Sequence, residues 1–153
     1  MSDYLREIKE QQALTDIKNI SAKSYQVGGN HYSKMKIQPI EFINENKINF
    51  NLGNVVKYIC RYPDKNGVQD LEKALQYIDF EIEYFSKNSK RYKPIKYNRD
   101  NFILKNGFNG FQKAVLVGID LLLGIRMRDV DIILKKLRVC ILGEIKRLYE
   151  IES

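Results

Sequence analysis

The chain has 153 residues, a formal net charge of +7 and a sequence pI of about 9.3. That length corresponds to one ordinary domain with room for appended helices. Hydrophobic residues make up 44% of the chain, enough for a core, while three prolines and nine glycines leave little room for a β-sandwich or a disordered tail. The basic balance favours polyanionic partners such as nucleotides, although a Lys-rich surface for simple solubility is the alternative.

Membrane and metal partners find little support in the sequence. The longest apolar run, residues 114–125, contains Asp120 and is too short to span a bilayer. The polar N-terminus does not resemble a signal peptide, so we expect a cytoplasmic protein. Cys60 and Cys140 lie in apolar helical stretches typical of buried free thiols, with a disulfide as the alternative. His31 is the only histidine, so no metal site is expected.

The N-terminal part is predicted to be a helix followed by a loop. Apolar residues recur at roughly helical spacing from Leu5 to Ile17, which indicates a helix up to about residue 20. The following polar stretch contains Gly28 and Gly29 and has no helical period. It is predicted to be an ordered loop that can include a short strand near residues 25–27.

Three helices are predicted in the centre of the chain. Pro39 suits the first turn of a short helix at residues 39–46. Asn51 is expected to cap a helix over residues 52–62, and the Asn66-Gly67 pair marks the following turn. Apolar residues at i, i+3, i+4 and i+7 predict a further helix over residues 68–86. The last two helices should form an antiparallel hairpin.

Residues 87–100 are basic and interrupted by Pro94, which predicts a connector. Two more helices are predicted near residues 101–124 and 128–151. The first is apolar nearly all round, more than one neighbour can cover, so we expect a homo-oligomer built through residues 101–151.

The predicted fold is therefore mostly α: a small helical domain with a central antiparallel helix hairpin, a Gly-rich N-terminal loop and a C-terminal helical pair. The expected division is an N-terminal helix (1–24), a core (25–86), a basic connector (87–100) and a C-terminal helical region for oligomerisation (101–153).

Two polar rows lie opposite the apolar stripes of the hairpin helices. At i, i+3 and i+7 they contain Asn54, Lys57 and Arg61 on the first helix and Asp70, Lys73 and Tyr77 on the second. If the stripes pack together, the rows flank one groove, in which Lys65 and the other cations converge around Asp70. Arginine forks and lysine point charges are what a phosphate group requires. The alternative is a solvated face with local ion pairs.

The segment VGGNHY at residues 27–32 is a second candidate site. Gly28 and Gly29 would let backbone N–H groups approach an anion closely. Asn30 and His31 add donors, and Tyr32 adds a stacking ring. The alternative is an ordinary turn with a structural histidine.

Five motifs occur in a specific order: VGGNHY (27–32), IQPIEFI (37–43), NFNLGNVVKYICRY (49–62), Lys65 and DLEKALQYID (70–79). In this order they closely resemble the phage nucleotide-kinase family of the bacteriophage T7 type, a small phage domain formerly of unknown function. The resemblance covers about two-fifths of the chain. Residues 1–24 and 87–153 fall outside it.

The resemblance implies phosphoryl transfer from ATP to deoxynucleoside monophosphates by an enzyme without a Walker loop, and GxxxxGK[ST] is indeed absent here. Lys57, Arg61 and Lys73 would neutralise phosphate oxygens, while Asp70 would hold a cation or orient the acceptor. The implied nucleotide-binding residues are Gly28, Gly29, Asn30, His31, Tyr32, Asn54, Lys65 and Tyr77. The sequence does not indicate whether Mg²⁺ is bound by the protein or arrives with ATP.

The rival hypothesis is a binding module that sequesters a nucleotide without turning it over, as an anti-defence protein would. The basic connector at residues 87–99 could track nucleic acid, but a solvated linker is favoured, so nucleic acid is not expected as a partner. A phage-encoded protein of this kind would work in the host cytoplasm.

Overall fold

The computed structural model describes residues 3–18, 21–24, 26–88, 100–124 and 127–152. This part of the chain contains seven α-helices, two short 3₁₀ helices and no strand, which confirms the predicted mostly α-helical fold. None of its helices is long and apolar enough to cross a membrane. The chain divides into two compact units, Met1–Lys34 and Met35–Ser153.

The first unit contains α1 (Asp3–Lys18), a 3₁₀ helix at Ala22–Ser24 and the glycine loop. The helix was predicted up to about residue 20, and residues 19 and 20 lie outside the described residues. Its described side chains are exposed, and Arg6 pairs with Glu10 one turn later at 3.1 Å. The strand expected near residues 25–27 is not formed at residues 26 and 27, and residue 25 lies outside the described residues.

The second unit begins with α2 (Pro39–Glu45), α3 (Phe50–Arg61) and α4 (Val68–Asn88). Pro39 occupies the first turn of α2, as predicted. The expected cap of α3 was wrong, because Asn49 fills that position: its Oδ1 accepts the Leu52 N–H at 2.9 Å. Asn51 instead lies in the first turn of α3 and donates its side-chain amide to Glu81.

The apolar stripes of α3 and α4 pack against each other, as their periodicity indicates. The residues they bury, all at most 1% exposed, are Leu52, Val55, Val56 and Ile59 on α3 and Leu71, Ala74 and Ile78 on α4. The start of α3 contacts Glu81, whereas its end contacts Asp70. The two helices are therefore antiparallel.

The helix predicted over residues 101–124 is divided in two, so that prediction was wrong. The structure has α5 (Asp100–Lys105) and α6 (Gly110–Gly124), separated by a turn in which Gly107 has a φ of +66°. The left-handed backbone at Gly107 ends α5. Of the predicted connector, residues 87 and 88 belong to α4, residue 100 begins α5, and residues 89–99 lie outside the described residues.

The last helix, α7 (Met127–Glu152), packs against both α4 and α6. Arg138 pairs with Asp79 at 2.6 Å, and the Tyr149 hydroxyl donates to Glu72 at 2.9 Å, so α7 is held along α4. The chain buries most of the apolar surface of α6 itself: Val115, Leu116, Ile119 and Leu122 are 0% exposed. Val117 and Leu121 of α6 are nevertheless 42% exposed, so the homo-oligomer expected through residues 101–151 stays a prediction.

We expect the contact between α6 and α7 to be sensitive to a single methyl group at Gly118. A Cβ there would lie 2.5 Å from Cδ2 of the buried Leu137, whereas a Cβ at Gly143, within α7, would meet nothing within 4 Å. Both Gly→Ala changes gain about 1 kcal/mol in helix propensity. Gly143→Ala should therefore raise the free energy of unfolding, measured by urea denaturation. The free energy of unfolding of Gly118→Ala should be lower than that of Gly143→Ala by more than about 1 kcal/mol, because the added methyl group overpacks the core. Equal stabilities would contradict this packing.

Candidate functional site

Three cations surround the ring of Tyr58. Measured to the ring centroid, Lys57 Nζ lies at 4.4 Å, the Arg61 guanidinium carbon at 4.8 Å and Lys73 Nζ at 5.8 Å. Lys57 and Arg61 come from α3 and Lys73 from α4, so the helix pair brings together the cations that the sequence placed on two separate rows. Tyr58 was missed by the sequence analysis, although it lies between Lys57 and Arg61 on the same side of α3.

The polar partners of the two lysines are neutral. Lys57 Nζ donates to Asn54 Oδ1 at 2.8 Å, and Lys73 Nζ donates to Gln69 Oε1 at 3.5 Å. Within the described residues, no carboxylate lies at ion-pairing distance from either lysine. Neither lysine is therefore ion-paired within the described residues, which makes this surface attractive to an anion.

Arg61 is fixed by an ion pair with Asp70. Its Nε and Nη2 donate to the two carboxylate oxygens, each at 2.9 Å, and Asn66 Nδ2 adds a third hydrogen bond at 3.2 Å. Asp70 is 0% exposed. The sequence hypothesis gave Asp70 a cation to hold or an acceptor to orient, but the geometry favours a positioning role in which Asp70 aims the Arg61 guanidinium over Tyr58.

Aromatic rings extend this surface toward the start of α3. Tyr58 and Tyr77 stack with centroids 6.0 Å apart, and Tyr77 meets Phe50 at 5.8 Å and Phe80 at 5.9 Å, both edge to face. Phe50 is 75% exposed and Phe80 is 47% exposed. Large exposed rings beside cations are unusual for a merely solvated face. We call this surface the cation–aromatic face; it consists of Phe50, Lys57, Tyr58, Arg61, Lys73, Tyr77 and Phe80.

If the two polar rows of the hairpin helices are each extended by one turn, they include both phenylalanines. Phe50 lies four residues before Asn54 on the first row, and Phe80 lies three residues after Tyr77 on the second. Asn54 itself supports Lys57 and donates to the Phe50 carbonyl at 2.9 Å. Lys65 lies exposed in the turn that precedes α4.

The glycine loop has the backbone that its sequence requires. Gly28 and Gly29 have φ angles of +78° and +123°, where a side chain would be strained. The Gln26 side chain organises the loop: its Oε1 accepts the Tyr32 N–H at 2.9 Å, and its Nε2 lies 3.0 Å from His31 Nδ1. Gln26 was missed by the sequence analysis.

His31 is 6% exposed, and its ring meets the Tyr32 ring edge to face at 4.2 Å. The burial favours a structural histidine, while Asn30 next to it is exposed. This loop belongs to the first unit and the cation–aromatic face to the second.

A second buried carboxylate, which the sequence analysis missed, lies at the other end of α3. Glu81 is 0% exposed, and its two oxygens accept from Asn49 Nδ2 at 2.8 Å and Asn51 Nδ2 at 3.0 Å. Its position three residues after Ile78, within the apolar stripe of α4, was the available signal. Glu81 and Asp70 thus hold the two ends of α3 on α4.

The chemistry available at the site is cationic and aromatic. No cluster of three His, Cys, Asp or Glu side chains that could hold a metal ion occurs in the described ranges of the chain. Cys60 and Cys140 are free thiols, and burial raises the pKa of both, which disfavours the reactive thiolate. What the face offers is charge for phosphate oxygens and flat rings for a base.

Comparison with known proteins gives one match. Residues 27–79, about a third of the chain, match a family described only as a protein of unknown function (DUF3310). No curated protein and no solved structure matches the chain. The matched segment contains the glycine loop and six of the seven residues of the cation–aromatic face, since Phe80 follows it directly.

The buried Glu81 carboxylate should be needed for stability. Glu81→Gln would turn one acceptor into a donor facing an asparagine NH₂ group, so one hydrogen bond is lost and two donors meet. We expect the free energy of unfolding in urea to fall by about 1–3 kcal/mol. Glu83→Gln, at an exposed position on the same helix, is the matched control and should change it by less than about 0.5 kcal/mol. Similar values for both variants would show that the carboxylate is not required.

Proposed function

We propose that this chain binds a nucleotide on the cation–aromatic face. One observation carries the proposal: Lys57, Arg61 and Lys73 gather around the Tyr58 ring, and both lysines have only amide oxygens as described polar partners. A basic protein of net charge +7 adds a favourable long-range field for such a ligand.

The face has a cationic end and an aromatic end, which sets the orientation of the proposed ligand. Phosphate oxygens would lie against Lys57 and Lys73, and the base against the exposed rings of Phe50 and Phe80. Phe50 and Lys57 are seven residues apart on α3, about 10 Å along the helix axis. Charge-assisted hydrogen bonds contribute roughly 1.5–3 kcal/mol each, and stacking a base on an aromatic ring contributes roughly 1–3 kcal/mol.

For the reaction, we propose phosphoryl transfer from ATP to a deoxynucleoside monophosphate. The support is the resemblance of the five sequence motifs to phage nucleotide kinases. Phosphoryl transfer requires chiefly positioning and electrostatic stabilisation from the protein, and preorganised cations supply the second. The proposed place of action is the cytoplasm, that of the host if the protein is phage-encoded.

Binding without turnover is the second candidate, and one observation favours it. Asp70 is buried and holds Arg61, so it does not face an acceptor hydroxyl or phosphate. Incubating the protein with labelled ATP and each deoxynucleoside monophosphate, followed by thin-layer chromatography, separates the two. With the label in the γ-phosphate of ATP, a labelled deoxynucleoside diphosphate would establish the kinase; tight binding in calorimetry with no labelled product would establish sequestration.

Lys57→Ala and Lys73→Ala should each weaken nucleotide binding by about tenfold or more, because each removes a charge-assisted phosphate contact. Melting temperatures should barely change, since neither lysine takes part in a buried ion pair. Lys113→Ala, an exposed lysine on α6, is the control for the loss of one positive charge. Isothermal titration calorimetry gives the dissociation constants. If all three variants bind the nucleotide equally, the face is not the site.

We also propose a homo-oligomer, through the exposed face of α7 rather than through α6. Ile132 and Val139 lie seven residues apart and are 52% and 68% exposed. Val139→Glu should lower the mass found by light scattering at micromolar concentration without changing helical content, because a carboxylate would enter an apolar contact. Lys113→Glu is the control. A monomeric mass for the parent protein would refute the oligomer.

A further inference from the structure

The end of α3 that carries Arg61 is held by a residue far along the chain. The last carbonyls of a helix have no partner within it and must find one elsewhere. Gln112 of α6 supplies such a partner, since its Nε2 donates to the Ile59 carbonyl at 2.8 Å and to the Cys60 carbonyl at 3.2 Å. Gln112 is 4% exposed, so these bonds are shielded from water. The two residues whose carbonyls accept these bonds immediately precede Arg61 in the chain.

Gln112 is itself fixed in place. Its Oε1 accepts the Asn109 N–H at 3.0 Å, and its own N–H donates to Asn109 Oδ1 at 2.8 Å, a reciprocal cap at the start of α6. Both ends of the amide are therefore used: the oxygen binds α6 and the nitrogen binds α3. Only an amide supplies an acceptor and a donor in this arrangement.

The residue after Arg61 is anchored by the same group. Asn109 Nδ2 donates to the Tyr62 hydroxyl at 3.0 Å, and that hydroxyl donates to Glu144 at 3.3 Å. Burial raises the pKa of Tyr62, which keeps the phenol protonated as a donor. Arg147 lowers the pKa of Glu144, which keeps the carboxylate ionised as an acceptor. Arg61 therefore lies between two anchored positions, Cys60 and Tyr62.

We propose that Gln112 is a positioning residue of the nucleotide site, acting through Arg61. The proposal rests on the proposed nucleotide binding. The guanidinium of Arg61 donates to both oxygens of Asp70 while it lies over the Tyr58 ring. These contacts require a specific rotation of the last turn of α3 about its axis. The hydrogen bonds from Gln112 to the Ile59 and Cys60 carbonyls fix that rotation. The C-terminal helices thereby complete a site whose cations all lie in the family-matched segment.

The test is a double-mutant cycle on nucleotide affinity. Gln112→Met keeps the length of the side chain but removes both hydrogen bonds to α3. With the tightest binder among ATP and the four deoxynucleoside monophosphates as probe, calorimetry should show at least fivefold weaker binding. In an Arg61→Lys background, which keeps a cation for the buried Asp70 but removes the two-point guanidinium contact, the same change should weaken binding less than twofold. An equal effect in both backgrounds would overturn the proposal.

Asn106→Ala is the matched structural control. Asn106 Nδ2 also donates to two carbonyls, of Ile37 at 2.8 Å and Phe102 at 3.0 Å, but it does not hold the end of α3. The Asn106→Ala substitution should lower the free energy of unfolding without changing nucleotide affinity. An affinity loss as large as that of Gln112→Met would make the effect of Gln112 a general loss of packing and would overturn the proposal.

A second readout needs no nucleotide, so it separates this inference from the proposed function. In ¹⁵N NMR spectra of the full chain, the Arg61 Nε–H resonance should shift and exchange faster with water in Gln112→Met than in the parent or in Asn106→Ala. If Gln112→Met does not fold, Tyr62→Phe, which removes the neighbouring anchor and keeps the ring, should give the same change. An unchanged Arg61 signal in the folded variant overturns the positioning role. A parent that binds none of the five nucleotides overturns the proposed function alone.

Discussion

The pairing of α3 with α4 is fixed by two buried carboxylates, and the candidate site depends on it. Asp70 and Glu81 are eleven residues apart on α4, close to three helical turns, so they lie on the same side of that helix. Each is fully buried, and each finds its partners on or beside α3. A buried charge without a partner costs several kcal/mol. A shift of α3 by one turn would leave both carboxylates without theirs, so the register is specified at two points.

The cation–aromatic face follows from this register. Lys57 and Lys73 come from different helices, yet both approach the Tyr58 ring, and Tyr58 stacks on Tyr77 across the interface. Because the backbones are held by buried groups, the helix positions that carry these cations are fixed relative to one another. Preorganised charge of this kind is more effective than charge on mobile side chains, since the ligand does not have to order the site.

The helical period of the sequence correctly placed Lys57, Arg61, Lys73 and Tyr77 on facing rows, because each helix is amphipathic and long. The position of Glu81 in the apolar stripe of α4 indicates burial, but its partners Asn49 and Asn51 lie about thirty residues earlier and cannot be identified from the local pattern. The same limit applies to Gln112 and the carbonyls of Ile59 and Cys60. The break between α5 and α6 was missed because apolar residues resume at Phe108, although the Asn106-Gly107 pair is the same turn signal as Asn66-Gly67. Gly107 has a positive φ and ends α5.

The cations of the proposed site and two of the residues that hold them lie in different parts of the chain. Lys57, Arg61 and Lys73 lie within residues 27–79, the segment that matches the family, whereas Glu81 and Gln112 lie beyond it. The matched segment thus contains the three cations and Asp70, whereas Glu81 and Gln112, which also hold α3, lie outside it. In the proposed site, a substitution of Gln112 can therefore change the orientation of Arg61 while the three cations stay the same.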